Sequence, residues 1–580
     1  MIQIKLYQKN PVSHYVYFEM LIPEPKAGAL SLQLPSWRPG RYELGNFAKN
    51  IKKLEAFDAE GNVLHIEKSS KDNWIVEVPK TTLIKVTYSF YCAELTAGSC
   101  YADENQIYIN PIHCCFIVED RSDEEIEVTV EKEASIATSL NVKNKKIIAA
   151  NFDELAESPF IVSNQLSSNS FIVDKVNFHL HFNGDCRPDW KRLEKDFIPF
   201  IKYQFKFWED FPFDDYHFIF QITPHKFYHG VEHFKNTVIA LGPDNEVFTT
   251  KLYDELLGVS CHELFHVWNI KTIRPKEMLP YDYTKENYAK TGFVYEGFTT
   301  YYGDKNLFSA DVFNEQQYFG TLEDRLNRHF QNYGRFNLSV ADSSWDTWLD
   351  GYVPGAPYRK TNIYTEGNLI AFMLDVLIMK GSNNRNALVN VCRELYHEFG
   401  KKGVGYAYET IIELCEKYAN VNLKDFFNNY VTGTSDYESM LNECLGYIGL
   451  KFDKSPSLFS NERYFGFKAI DDVGKMTITA VAPYSPSWKS KLFEKDVIIG
   501  VNSKIVRGNL SRLIEYEMET GQLEFTIIRN ERILDVKMDL SKLPGSDEAG
   551  YYWSASIKHL SDSNERQKSS FELWRADILR

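Results

Sequence analysis

His262-Glu263-Leu264-Phe265-His266, with Val294-Tyr295-Glu296-Gly297-Phe298-Thr299-Thr300-Tyr301-Tyr302 downstream of it, decides how this chain reads. On a helix, positions i and i+4 stand one above the other, so both imidazoles reach one ion. Neutral imidazole nitrogens suit Zn²⁺, and a catalytic site takes three protein ligands and leaves a position for water. Glu263 is rotated away from the ligand pair and sits beside that water, where it serves as general base. Glu296 is a carboxylate in an otherwise apolar, aromatic run. Burying it unpaired is expensive and binding it to a cation is not, so it is the candidate third ligand. Taken alone, Glu296 reads equally well as a charge at a helix N-terminus. The His-Glu-His spacing arises by chance in roughly a few per hundred chains of this length, so context has to carry the assignment. That context is a helix predicted over 250–270, capped by Thr250 and ended before Pro275. Its buried face is Leu252, Leu256, Leu257, Val259 and Leu264.

Outward from this helix the periodicity changes twice. Residues 2–172 return repeatedly to short alternating runs broken by Pro, Gly and Asp, which predicts an all-β region. From 189 to 208 apolar residues fall three and four apart, with Leu193, Phe197, Ile201 and Phe205 on one stripe, and a helical region begins. A short strand is expected over 217–223 and further helices over 313–330, 368–379, 386–399 and 408–418. Beyond 452 the period returns to two, with one helix near 510–518, as a separate small β domain would show. The division expected is 1–172, 173–452, 453–545 and a polar tail, 546–580, whose aromatic tip docks elsewhere.

With 580 residues the chain exceeds one core, and 44% hydrophobic with 25% charged residues is the balance of a globular protein. A net charge of −15 supplies no basic field for a phosphate backbone, which argues against nucleic acid as a partner. The longest apolar run, 368–380, is interrupted by Asp375 and is too short for a bilayer, so no transmembrane segment is expected. The first twenty residues alternate and lack the apolar core of a secretory signal. Nine cysteines without a repeating spacing imply no disulfide framework, and a reducing cytoplasm is the expected location.

The motifs resemble those of the PDZ-bearing glycyl aminopeptidases, peptidase family M-61, in the gluzincin branch of zinc peptidases. HELFHVWNIKTIRP from His262 and YEGFTTYY from Tyr295 carry the likeness, and Leu34-Pro35-Ser36-Trp37-Arg38-Pro39-Gly40-Arg41-Tyr42 is similar to the family's N-terminal Pro-x-Trp-x-Pro-Gly-x-Tyr signature. Gly230-Val231-Glu232-His233 is similar to its Gly-Gly-x-Glu-His segment. That likeness implies substrate-binding roles for Gly230 and His233 and gives Glu232 the free α-amino group of the substrate. His229 replaces the first glycine, where it is expected to narrow the approach of a substrate backbone. Tyr364-Thr365-Glu366-Gly367 looks like the Tyr-x-Lys-Gly motif whose tyrosine steadies the oxyanion, with Glu366 reversing the lysine charge. Residues 464–540 resemble a PDZ domain, including Ser485-Pro486 and the run Asp496-Val497-Ile498-Ile499-Gly500-Val501-Asn502.

The resemblance implies a multidomain α+β protein with an N-terminal all-β domain, a thermolysin-like α/β catalytic domain and a C-terminal PDZ-like β domain. It implies a metallo-aminopeptidase with one Zn²⁺ per chain, acting on peptides with a free amino terminus and small first residues. A peptide or protein ligand for the PDZ-like domain goes with it. Two rivals stand beside it: an endopeptidase with the same site, and a peptide-binding scaffold with a structural zinc. His225, His229 and His233 recur every four residues as a second metal face would, but Pro224 and Gly230 argue against a helix there.

Overall fold

The computed structural model describes residues 1–578 except Thr250, Pro354, Val473, Lys542, Ser546 and Asp547. Among them, the N-terminal region forms an eight-stranded sheet and two four-stranded sheets. Strand Ile2–Tyr7 lies antiparallel to Tyr15–Ile22 and parallel to Ile126–Val130, and its residues alternate buried and exposed. The inward faces share one core that includes Leu6, Phe18, Leu32, Val76, Val86 and Ile109. Period two in the sequence is therefore the signature of sheets wetted on one side.

The central region is organised by a five-stranded mixed sheet in the order Leu166–Val173, Val176–Asn183, Asp215–Ile222, Asn236–Gly242, Phe227–Glu232. Phe227–Glu232 is an edge strand, antiparallel to its one neighbour. The face bearing Phe178, Leu180, Phe182, Phe218 and Phe220 packs on helices Trp190–Trp208 and Leu252–Phe265. Phe197 meets Phe218 edge to face at 5.2 Å, an arrangement aromatic rings prefer. Helices Thr299–Ser309, Glu315–Gln331 and Ile363–Gly381 complete this core. In the last of these, Asp375 is fully buried, and it accepts hydrogen bonds from Tyr301 Oη at 2.6 Å and Lys305 Nζ at 3.1 Å. The polar interruption of the apolar run is thus an internal ion pair.

The helix expected over 250–270 runs only from Leu252 to Phe265. The backbone turns at His266, where Lys271 N–H bonds the His266 carbonyl and Ile273 N–H bonds that of Trp268. Thr250, the expected cap, lies outside the described residues.

The small β domain has its own core, with Phe465, Phe467, Ile498, Ile514 and Phe525, beneath helix Leu510–Met518. Strands Leu450–Pro456 and Trp553–His559 pair on either side of it, so the chain leaves the central core and returns to it. The segment read as a tail therefore folds back. Helix Glu565–Arg575 buries Phe571 and Trp574 in the central core, and Trp574 Nε1 donates to Tyr301 Oη at 2.8 Å. No helix among the described residues is long and apolar enough to cross a membrane, and the nine cysteines are free.

Candidate active site

His262 Nε2 and His266 Nε2 stand 3.1 Å apart with their rings nearly perpendicular, at 84°. Glu296 Oε2 lies 3.9 Å from His262 Nε2 and 3.5 Å from His266 Nε2. The three donor atoms converge within 4.8 Å, a set of two imidazoles and a carboxylate that suits zinc. The early end of the helix explains part of this. The turn after Phe265 carries the Asn269 carbonyl to His266 Nδ1 at 2.9 Å, which leaves Nε2 as the lone-pair nitrogen. Asn269 Nδ2 also donates to the Val294 carbonyl, so the turn is fastened to the segment that holds Glu296.

Glu296 sits on a π-helical turn, Phe293–Phe298, a local widening that often marks functional residues. Gly297 and Gly367 face each other there: a Cβ on Gly297 would lie 2.3 Å from Gly367 Cα, and one on Gly367 would lie 2.5 Å from Gly297 Cα. This backbone contact sets the Glu296 turn against the helix that begins at Ile363 with Tyr364.

The same pocket holds two further carboxylates. Glu232, Glu263 and His266 bring ligand atoms within 4.8 Å of one another, all buried. Glu263 Oε2 and Glu232 Oε1 have no hydrogen-bond partner. Burial raises the Glu263 and Glu296 carboxyls above their ordinary range. Burial would lower His266, but the Glu232 and Glu296 charges outweigh it and hold the imidazole up at about 9. Three buried carboxylates around two imidazoles form a cluster that a divalent cation neutralises, so the residues present fit the metal. Gly230 lets Glu263 come close to the edge strand, since a Cβ there would stand 2.1 Å from Glu263 Oε1.

The N-terminal signature enters this pocket. Tyr42 Oη donates to Glu296 Oε1 at 2.9 Å, and a Cβ on Gly40, whose φ is +81°, would meet Glu232 Oε2 at 2.4 Å. Trp37 and Tyr42 are buried with Tyr295 and Trp348 in a core shared by the two regions. Tyr364 Oη lies 3.3 Å from Tyr352 Oη, which accepts from Tyr42 N–H at 3.4 Å. Tyr352 carries no sequence signal, because it comes from a loop rather than from the motif containing Tyr364.

Three other residues have surroundings of their own. His229 alternates with Gly230 on a strand, so its side chain lies on the face opposite Gly230 and Glu232 and does not narrow their side of the cleft. His233 packs against Glu157, with Nδ1 at 3.7 Å from Oε2, and Lys271 Nζ bonds the same carboxylate at 2.9 Å. Glu366 is buried and its Oε2 is 2.7 Å from His329 Nδ1, so the substituted charge has a partner of its own rather than Tyr364. The segment 225–233 is largely strand, where residues four apart stand about 13 Å apart, and a shared ion is out of reach.

The cluster suits a metallopeptidase, with an open set of three donors beside the Glu263 carboxylate. Residues 3–164 match the peptidase M61 N-terminal domain and residues 255–370 match M61 glycyl aminopeptidase. These two stretches carry the N-terminal and catalytic domains of the M61 peptidase family. In fold it is similar to an aminopeptidase N family protein from Idiomarina loihiensis, at 24% identity, with 99% of this chain and 100% of that one covered and a TM-score of 0.89. An M1 zinc metallopeptidase from Deinococcus radiodurans bound to a Tyr-Ser-Ala substrate aligns over 75% of this chain and 94% of its own, at 13% identity and a TM-score of 0.44. No match among curated protein sequences was found.

Proposed function

We propose that the protein is a zinc aminopeptidase that removes a small first residue, glycine or alanine, from peptides. The observation that carries this reading is Glu232. Its Oε1 is buried and unpartnered in the cluster with Glu263 and His266, where a substrate ammonium would satisfy it. A Cβ on Gly40 would meet Glu232 Oε2 at 2.4 Å, so the N-terminal region comes close to this carboxylate. An endopeptidase needs room for chain on both sides of the cut, and this close approach favours an exopeptidase.

His262, His266 and Glu296 would hold one catalytic Zn²⁺, which when bound would polarise a carbonyl and acidify water. The substrate backbone extends along the free edge of Phe227–Glu232, as peptides add to an open sheet edge. Glu232 fixes the α-amino group, and Gly230 leaves room for Glu263 beside the strand. Glu263 Oε2 takes a proton from the attacking water and passes it to the leaving amine. Tyr364 donates its hydroxyl hydrogen to the developing oxyanion, and Tyr352, fixed by Tyr42 N–H, donates to Tyr364 in turn.

The small domain is assigned as PDZ-like, with the free edge of Phe467–Asp472 as its peptide site. The turn Ser460–Arg463 lies at one end of that edge, where Asn461 Nδ2 donates to the Phe467 carbonyl. The protein is assigned to the cytoplasm on the strength of its nine free cysteines.

The test is metal analysis together with hydrolysis of Gly and Ala reporters carrying a free or an acetylated amino end. Zinc-dependent cleavage of the free forms alone supports the proposal. Equal cleavage of acetylated peptides overturns it in favour of an endopeptidase.

A further inference from the structure

The five-stranded sheet turns one face to the helices, and the opposite face carries polar residues that the proposed reaction does not use. Period two puts His179 and His181 of Val176–Asn183 on that face, and the parallel register sets His217 directly beside His179. The rings of His179 and His217 stack at 4.3 Å with 22° between their planes. Asp215 begins the same strand as His217, and its Oδ2 is 3.1 Å from His217 Nε2. Donor atoms of His179, His217 and Asp215 all lie within 4.8 Å of one another.

From this geometry we infer that His179, Asp215 and His217 form a second metal site, separate from the active site, for a divalent transition ion of the zinc type. The hydrogen bonds around the cluster set which ring nitrogens are free for it, and a shared ion would turn the stacked His179 and His217 rings out of parallel. His179 Nδ1 is engaged by Ser170 Oγ at 2.8 Å, which leaves Nε2 free to ligate. His217 Nδ1 faces His181 Nε2 at 3.1 Å, and His181 Nδ1 is in turn held by Ser168 Oγ at 2.8 Å. When His217 donates from Nδ1 to His181, its Nε2 lone pair points at the Asp215 carboxylate, and only a cation between the two acceptors makes that contact favourable. Donors bound to zinc at about 2.0–2.1 Å stand about 3.3 Å apart, close to the 3.1 Å between His217 Nε2 and Asp215 Oδ2, and the His179 donor lies within 4.8 Å of both.

His181 is thus a positioning residue and the other three are ligands. Asp215 is 36% exposed, which gives an ion a path from solvent and leaves room for a water ligand. An ion here ties two parallel strands of the sheet that bears the edge strand Phe227–Glu232, a structural role.

The rival occupant of the Asp215–His217 contact is a proton, and metal loading separates the two. The full chain is stripped with chelator, reloaded with Zn²⁺ and dialysed, and bound zinc is counted for wild type, His179→Asn with His217→Asn, and His262→Ala with His266→Ala. Wild type should hold two equivalents and each double variant one, with peptidase activity retained in the first and lost in the second. Co²⁺ loading of the His262→Ala, His266→Ala protein leaves the new site unmutated, so a folding defect at His217 cannot mask the result. Visible bands of low-symmetry Co²⁺ with imidazole ligands are expected there. A single equivalent in wild type, with no zinc and no cobalt spectrum in the active-site variant, overturns the second site. One equivalent in wild type that persists in the active-site variant supports it and instead sinks the proposed catalytic centre.

Discussion

Tyr42 donates a hydrogen bond to Glu296 across 254 residues of sequence, from the N-terminal β region to the carboxylate beside His262 and His266. The N-terminal region is therefore part of the proposed metal site. A group that orients a ligand in this way typically contributes 10–100-fold in metal affinity. Tyr42→Phe should weaken zinc binding by roughly that factor in competition with a chelator, while Tyr42→Ala should lose more by opening the aromatic core around Trp348. Unchanged affinity in Tyr42→Phe would mean that Glu296 is held without it.

Glu263→Gln removes the base and no ligand. Zinc content should stay at the wild-type level while kcat drops by a factor on the order of 10²–10⁴. Substrate binding to the zinc-loaded variant should persist, and full activity would assign the base elsewhere.

Tyr364→Phe should lower kcat by roughly 10²–10³ with little change in KM, the effect of losing one oxyanion donor at ~2.7–4 kcal/mol. Tyr352→Phe should have a smaller effect of the same kind, because it acts through Tyr364. A change confined to KM would make Tyr364 a binding residue.

Glu232→Ala should cost roughly 2–5 kcal/mol in kcat/KM toward free amino termini and remove most of the preference over acetylated ones. The α-amino group titrates near 7.7–8.0 and must be charged for the contact. KM for the wild type should therefore rise as pH passes above that range, and the variant should lack this limb of the profile.

Burial by itself would raise the Glu157 carboxyl, yet Lys271 and His233 hold it down to about 2. A carboxyl depressed by folding adds stability above its unfolded value near 4.5, and that contribution fades as pH falls from there toward about 2. The stability advantage of wild type over Glu157→Gln in denaturant melts should shrink across this window. Lys271→Met should lose about 3–5 kcal/mol at neutral pH, because it strands a buried carboxylate.

The convergence of His262, His266, Glu263 and Glu296 was legible in the sequence because a helix converts i, i+4 spacing into one face, and because an apolar run makes a buried carboxylate conspicuous. Period two and period 3.6 likewise separated the β region, the helices and the small β domain. Other features depended on chain brought together from far apart. Tyr352 joins Tyr364 from a loop with no periodic signal, and Tyr42 and Gly40 reach the pocket only because two regions pack around Trp37 and Trp348. The segment 546–580 looks like a polar tail by composition, yet its strand pairs with Leu450–Pro456 and Trp574 enters the core. His179 and His217 are 38 residues apart, and only the parallel register stacks their rings. Local periodicity is fixed by the backbone geometry of each element. Contacts between elements depend on register and packing, which a single sequence does not encode in any spacing a reader can count.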